Sequence, residues 1–186
     1  RLLDPGMPYL ELYGLANYAV DTEDRSKSIP GASALSGIGF VSGIRCLVYV
    51  DDSGINAGAS TQMSGEKIRA SLDMAIQHKL PFVHLVESAG ANLMQYQVES
   101  WARGGGIFYR LALLSAAGIP TFTVLHGPAT AGGAYMPGMS DYVISIRGRG
   151  RASLGGAALT RAATGEISDE EDLAGTDMHA TISGLV

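Results

Sequence analysis

The stretch Phe122-Thr123-Val124-Leu125-His126-Gly127-Pro128-Ala129-Thr130-Ala131-Gly132-Gly133-Ala134-Tyr135-Met136 decides the fold. Its first four residues form a continuous β-prone run without polar alternation, the pattern of a strand buried on both faces. Its middle is built of residues small enough to let the backbone turn sharply or approach something closely. A short helix is expected from Ala131. A strand that passes through a small-residue turn into a helix is the repeating unit of a parallel sheet. The same unit occurs earlier, where the run Phe82–Val86 leads into Glu87-Ser88-Ala89-Gly90-Ala91.

Working outward, further strand-like runs lie at Ile38–Val41, Cys46–Val50 and Tyr142–Ile146. Strands of this kind need helices above and below them. One is predicted over residues 65–79 with Ser64 as N-cap, where Ile68, Leu72 and Ile76 share a face with Ala75 beside them. A second runs from about Gly106 to Ala117 and is stopped by Gly118 and Pro120. Ser168 and Glu171 have the spacing of a capping box for the acidic helix Asp169–Leu173, closed by Gly175. Residues 1–34 are the least regular: Leu10–Ala19 reads as a short helix or turn, followed by the charged stretch Asp21–Ser28 and the turn at Pro30-Gly31. The class is α/β with a largely parallel sheet. One domain is expected, with residues 1–34 as its irregular opening segment and 35–186 as its body.

Composition narrows the function. Hydrophobic residues make up 46% of the 186 and charged ones 17%, the reverse of a disordered chain. The net charge of −5 argues against nucleic acid as partner. No apolar run has membrane-spanning length, so no membrane partner is expected. There is no basic-then-apolar leader, which points to the cytoplasm. The chain opens at Arg1 and stops at Val186 without a tapering tail, as a piece of a longer polypeptide would. A lone Cys46 rules out a disulfide framework and a cysteine-based zinc site, and the four histidines lack ligand spacing, so no metal is expected. Gly37, Gly39 and Gly43 miss the dinucleotide fingerprint by one residue; there is no phosphate-cradling loop and no Gly-x-Ser-x-Gly elbow.

What the chain does offer is glycine, 25 residues of it, roughly twice the usual share, placed at the ends of apolar runs. The turns Ala89-Gly90-Ala91 and Ala131-Gly132-Gly133-Ala134 fall at equivalent points of two strand–helix units. Backbone amides at such turns carry partial positive charge and can converge on one oxygen, forming an oxyanion hole for an enolate or tetrahedral intermediate. Glycines also occur where helix and strand simply pack tightly, and spacing alone does not choose between the two.

Gly127-Pro-Ala-Thr-Ala-Gly-Gly-Ala-Tyr-Met-Pro-Gly-Met-Ser-Asp141 resembles the signature of the carboxyltransferase β subunits of biotin-dependent acyl-CoA carboxylases, the propionyl-, methylcrotonyl- and geranyl-CoA carboxylases. Other segments agree in order: Ser36-Gly37-Ile38-Gly39, Glu87-Ser-Ala-Gly-Ala91, Gly106-Ile-Phe-Tyr109, Ser115-Ala-Ala-Gly-Ile-Pro120, Leu154-Gly-Gly156 and Asp172-Leu-Ala-Gly-Thr-Asp-Met-His179. The resemblance spans nearly the whole chain from Leu12. It implies the crotonase-like spiral of ββα units, and only the N-terminal, acyl-CoA-binding half of a β subunit. The implied reaction moves a carboxyl group from carboxybiotin to the α-carbon of an acyl-CoA. In the family's scheme carboxybiotin releases CO2 and the biotin anion takes the α-proton, so no side-chain base is required. Gly132 and Gly133 are then the catalytic oxyanion donors, and Ala89, Gly90, Ala91, Ala131, Ala134, Ala57 and Gly58 the substrate-binding residues. Biotin would arrive on a partner, the biotin carboxylase/carrier α subunit. The β chains would form a homo-oligomer, a hexamer, in the cytoplasm or, in a eukaryote, the mitochondrial matrix. The sequence departs from the family at Ala89-Gly90, where a Gly-Gly pair is usual, at Glu87, where Asp is common, and at Asn56-Ala57-Gly58-Ala59, where a Lys-Gly-Gly-Thr core is usual near the CoA.

Rival readings are a biotin-dependent decarboxylase subunit, a crotonase-type hydratase or isomerase using Glu87 or Glu99, and a silent assembly paralogue. Ser88 as a nucleophile lacks placed partners. His84 and His126 read as core or turn histidines, and Glu87 as a turn cap. Arg147, Arg149 and Arg151 read as a solvated turn surface, and Tyr135 and Met136 as helix-packing residues. Trp101 and Tyr96 are candidates for an acyl pocket.

Overall fold

A computed structural model describes residues 2–95 and 97–186. Its frame is a seven-stranded sheet. Strands β1 (Leu10–Leu12), β2 (Ala34–Val41), β3 (Ile44–Asp51), β4 (Phe82–Ser88), β5 (Thr121–Thr130) and β6 (Tyr142–Ser145) lie side by side in chain order, and β7 (Arg151–Ser153) continues the far edge of β5. β1, β2 and β3 pair antiparallel; β3 to β6, and β7 on β5, pair parallel. The helices are α1 (Gln62–His78), α2 (Val98–Ala116), α3 (Tyr135–Gly138), α4 (Ala157–Thr164), α5 (Glu170–Ala174) and α6 (Thr176–Met178). Thus β2, β3 and α1 form a ββα unit, and a second parallel strand–helix unit, β4 with α2, is laid beside it.

One face of the sheet carries the core. Leu47, Tyr49, Phe82, Val86 and Leu125 meet Ile68, Leu72 and Ala75 of α1 and Leu111 and Leu114 of α2, all buried. The alternate residues Cys46, Val48 and Val83 face the other side, where Leu2 and Leu3 lie over them. The long helices therefore cover one face and not both. Leu10–Leu12 pairs with β2 as a strand and is followed by turns, so it is not helical. Three residues are too few to show a period; the pairing comes from the neighbouring strand, with Tyr9 packed over Gly37.

Helix starts differ from expectation. α1 is capped by Thr61, whose Oγ1 accepts from the Ser64 amide (3.3 Å) while Ser64 Oγ accepts from the Thr61 amide (2.7 Å); Ser64 is the third helical residue of a capping box, not the cap. α2 begins at Val98, eight residues before Gly106. Each internal glycine costs a helix about 1 kcal/mol, and packing against α1 offsets it: Gly106 leaves room for Arg69 and Arg110, whose atoms would lie 3.5 and 3.0 Å from an added Cβ. At α5 the cap is Asp169, whose carboxylate accepts from the Glu171 amide (2.7 Å); Ser168 is not the cap.

The strand ends matter most for the site. β4 runs on to Ser88 and β5 to Thr130, because Ser88 pairs with Ala129 and residues 128–130 pair with β7. Their carboxyl ends, with that of β3, lie together at one edge of the sheet.

Candidate functional site

Three turns meet at that edge: residues 56–60 after β3, 88–92 after β4 and 130–134 after β5. The first two are stitched through the backbone. The Ala89 amide donates to the Ala57 carbonyl (3.1 Å), the Ser60 amide to the Gly90 carbonyl (2.7 Å) and the Asn92 amide to the Ser60 carbonyl (3.0 Å). Ser88 Oγ donates to the Gly58 carbonyl (2.9 Å) and accepts from the Gly90 amide (3.1 Å). Its hydroxyl is committed to holding the turns, and nothing in this arrangement activates it as a nucleophile.

Glycine is required at two of these contacts. A Cβ on Gly58, at φ +68°, would run into the Glu87 carbonyl oxygen. One on Gly90, at φ +88°, would sit 2.9 Å from the Thr130 carbonyl oxygen, so this residue lets the second and third turns touch. Ala131 itself has a positive φ of 52° and starts the 3-10 turn Ala131–Ala134. The i→i+3 pattern of that turn gives the Gly133 amide an internal acceptor but leaves those of Ala131 and Gly132 without one. In the bridge between Ser60 and Ala91 it is Ser60 that bonds to both sides, so Ala91's own amide points away from the 56–60 turn.

Against these turns opens a cavity of about 590 Å³ between the sheet and the α1–α2 pair. Ile68, Ile107, Phe108 and Met136 supply apolar wall, and Phe108 packs on Tyr135 with ring centroids 4.8 Å apart. Asp51 and His84 are polar members of its lining, with side chains 14% and 3% exposed. At the rim, Glu66 accepts from Arg69 (2.8 Å) and Arg103 (3.3 Å), and these hydrogen bonds, Arg69's foremost, hold its carboxyl below the usual range.

Of the nine candidate residues, seven line this cavity: Gly58, Ala89, Gly90, Ala91, Ala131, Gly132 and Gly133. Ala57 is exposed and takes part through its carbonyl, while Ala134 packs against the core. Tyr135 and Met136 line the cavity as well as packing, and Trp101 is also in its wall; Tyr96 lies outside the described residues. Glu87 is on the opposite side of β4. Its carboxylate is 3.2 Å from His126 Nδ1, and both residues line a separate hollow of about 280 Å³ with Arg149 and Arg151. Arg147 pairs with Asp177 (2.7 Å) and Arg151 with Glu171 (2.9 Å). Glu99 lines the large cavity from the exposed first turn of α2. The His84–Asp51 juxtaposition was missed in the sequence, where 33 residues separate the partners.

The "Carboxyl transferase domain" family model matches residues 1–186. A Mycobacterium tuberculosis protein named "Probable biotin-dependent acyl-coenzyme A carboxylase beta2 subunit" is 45% identical over 184 residues, 99% of this chain and 34% of its own. A second from that organism, "Biotin-dependent 3-methylcrotonyl-coenzyme A carboxylase beta1 subunit", is 41% identical over 187 residues, 100% of this chain and 35% of its own. The solved geranyl-CoA carboxylase β subunit of P. aeruginosa superposes with a TM-score of 0.88 at 41% identity, over 100% of this chain and 33% of that one. The chain thus spans about a third of the length of the relatives it matches. A crotonase-like fold, a family model matched from end to end and this likeness to a solved β subunit agree: the chain belongs to the carboxyl transferase domain family.

Proposed function

We propose that this chain is the acyl-CoA-binding half of the carboxyltransferase component of a biotin-dependent acyl-CoA carboxylase. The observation that carries the reading is the cavity itself: a mostly apolar space of about 590 Å³ lined by turns whose outward amides suit a thioester oxygen. The acyl chain lies between α1, α2 and the sheet, and the thioester carbonyl points at the Gly132–Gly133 turn with help from Ala91. Removing the α-proton puts charge on that oxygen, and fixed amides stabilise it more as the enolate than as the ground-state carbonyl. Loss of one such donor raises the barrier by about 3–4 kcal/mol. Gly58, Ala89 and Gly90 keep the turns in register, and the Ala57–Gly58 loop approaches the CoA.

Carboxybiotin, delivered as second substrate by a biotin carboxylase/carrier α subunit, supplies the carboxyl group. The α-proton does not need a base from this chain, consistent with Glu87 lying on the other side of β4 and with Ser88 occupied by the turns. The relatives at 41% identity and above carry carboxylase names, which favours carboxylation over decarboxylation. We further place the assembled β chains in a homo-oligomer, a hexamer, in the cytoplasm or, in a eukaryote, the mitochondrial matrix. No helix among the described residues is long and apolar enough to cross a membrane.

The test is incorporation of labelled bicarbonate, with ATP and the biotinylated partner, into a panel of acyl-CoAs using the full-length protein. Avidin-sensitive labelling of one acyl class is expected. No labelling, with the partner shown to be charged, would refute the reading.

A further inference from the structure

Strands β4 and β5 do not pair residue for residue to their ends. Val86 lies opposite Leu125, but the next pair is Ser88 with Ala129, so Glu87 alone faces His126, Gly127 and Pro128. β5 therefore bulges at this point. In unbroken register Ser88 would face Gly127, and everything beyond would be displaced along β4 by two residues, roughly 7 Å of strand. Contacts on the cavity side depend on that offset. A Cβ added to Gly133 would lie 3.2 Å from the Ser88 Cβ, and the Thr130 carbonyl reaches Gly90. The Ala131–Ala134 turn starts where the bulge has carried the strand.

The bulge is filled from the other face of the sheet. The Glu87 side chain lies over Gly127 so closely that a Cβ there would run into its Cγ and Cδ. Its carboxylate ends 3.2 Å from His126 Nδ1, and both side chains are half-buried. The Glu87 amide donates to Asp51 Oδ2 on the neighbouring strand β3 (3.3 Å). Pro128, the last residue of the bulge, has no N–H to leave unpaired. Glu87 and His126 line the small hollow and not the large cavity, so they can act on the reaction only through the backbone they hold.

We propose that Glu87, held by His126 over Gly127, is a positioning residue for carboxyl transfer: it fixes the β5 bulge and so the place of the Gly132–Gly133 turn, without touching substrate. This rests on the carboxyltransferase reading of the cavity. The test is single-turnover transfer from the charged biotinylated partner to acyl-CoA by the full-length protein, with acyl-CoA affinity measured separately. Glu87→Ala empties the bulge and slows transfer about 10²-fold, while acyl-CoA binds within about threefold of the wild type. Gly127→Ala, whose methyl pushes the Glu87 side chain off His126, behaves in the same way. The two losses do not multiply: in the double variant the new methyl occupies the vacated space, and transfer is no slower than in either single variant. Glu87→Gln keeps a side chain over Gly127 and an oxygen for His126, and transfers within about tenfold of the wild type. Transfer by Glu87→Ala within about threefold of the wild type, or losses that multiply in the double variant, would overturn the proposal. So would acyl-CoA binding that is lost together with the rate, the mark of a residue that holds the fold and does not aim the turn. Failure of the unsubstituted protein to transfer at all, with the partner shown to be charged, would overturn the carboxyltransferase reading, and the positioning role with it.

Discussion

Gly58→Ala measures how tightly the site's turns are packed. Gly58 and Gly118 have almost the same backbone, φ +68° and +66°, but opposite surroundings. An added methyl at Gly118 meets nothing within 4 Å, whereas at Gly58 it strikes the Glu87 carbonyl, a backbone atom that cannot rotate away. Gly118→Ala should therefore cost only the left-handed strain, about 1 kcal/mol. Gly58→Ala has the same strain and must also part the turns. That gives up the Ser88 Oγ bond to Gly58 (2.9 Å) and the Ala89 amide bond to Ala57 (3.1 Å), at about 1 kcal/mol each. The total is about 3 kcal/mol. For a unit of this size the melting temperature should fall by about 2–4 °C in one variant and about 6–12 °C in the other. Acyl-CoA affinity should fall only in Gly58→Ala. Equal losses of stability in the two variants would refute the reasoning, because they would mean that the close approach at Gly58 constrains nothing.

Three other outcomes are expected. Gly132→Pro removes a backbone N–H while Gly132→Ala keeps it, and the position has open space around it; the proline variant should lose about 10²–10³ in kcat with acyl-CoA binding retained, and equal kcat in both would remove Gly132 from the mechanism. Lys67, buried in α1, donates to the Gly31 carbonyl (3.0 Å) and the Ala34 carbonyl (2.6 Å), and burial pushes its pKa down; Lys67→Met strands both acceptors and should cost about 2–3 kcal/mol in urea denaturation, a loss below 0.5 being incompatible with the contact (about one weak surface interaction). Glu66 has a lowered pKa, so its ionised form is favoured in the folded state and its stabilising share is complete above the ordinary glutamate range and lost as pH falls through the depressed value. The melting temperature of the wild type should exceed that of Glu66→Gln slightly at pH 7 and match it in acid; with Glu66 43% exposed the gap stays under about 1 kcal/mol, and a gap that persists in acid would contradict the ion-pair assignment.

Much of this arrangement was legible in the chain because it depends on local patterns. The continuous runs at Cys46–Val50 and Phe82–Val86 marked buried strands, and the small-residue turns after β4 and β5 marked the edge at which a backbone could be approached. What stayed hidden depends on partners distant in sequence. α2 starts early because α1 supports glycines that look like breakers when read alone. β5 extends to Thr130 because β7 gives its last residues something to pair with. The single helix-bearing face follows from connection geometry, which no periodicity encodes. Asp51 and His84 meet only because β3 and β4 are neighbours in register, Val50 opposite Leu85.

The stitching of two turns through amides and carbonyls, with a third packed against them, has a practical corollary. A centre whose working parts are main chain leaves nothing for side-chain reagents to label and little for alanine scanning to remove. Natural variants could exchange most side chains around it without losing the chemistry, while substrate preference drifted with the walls. Inhibitors designed against it would do best to offer an anionic oxygen to the peptide groups and leave potency less exposed to resistance by point substitution. Atom-level editing of the polymer, such as an ester in place of the Gly132 amide, would reach the centre where ordinary mutagenesis does not.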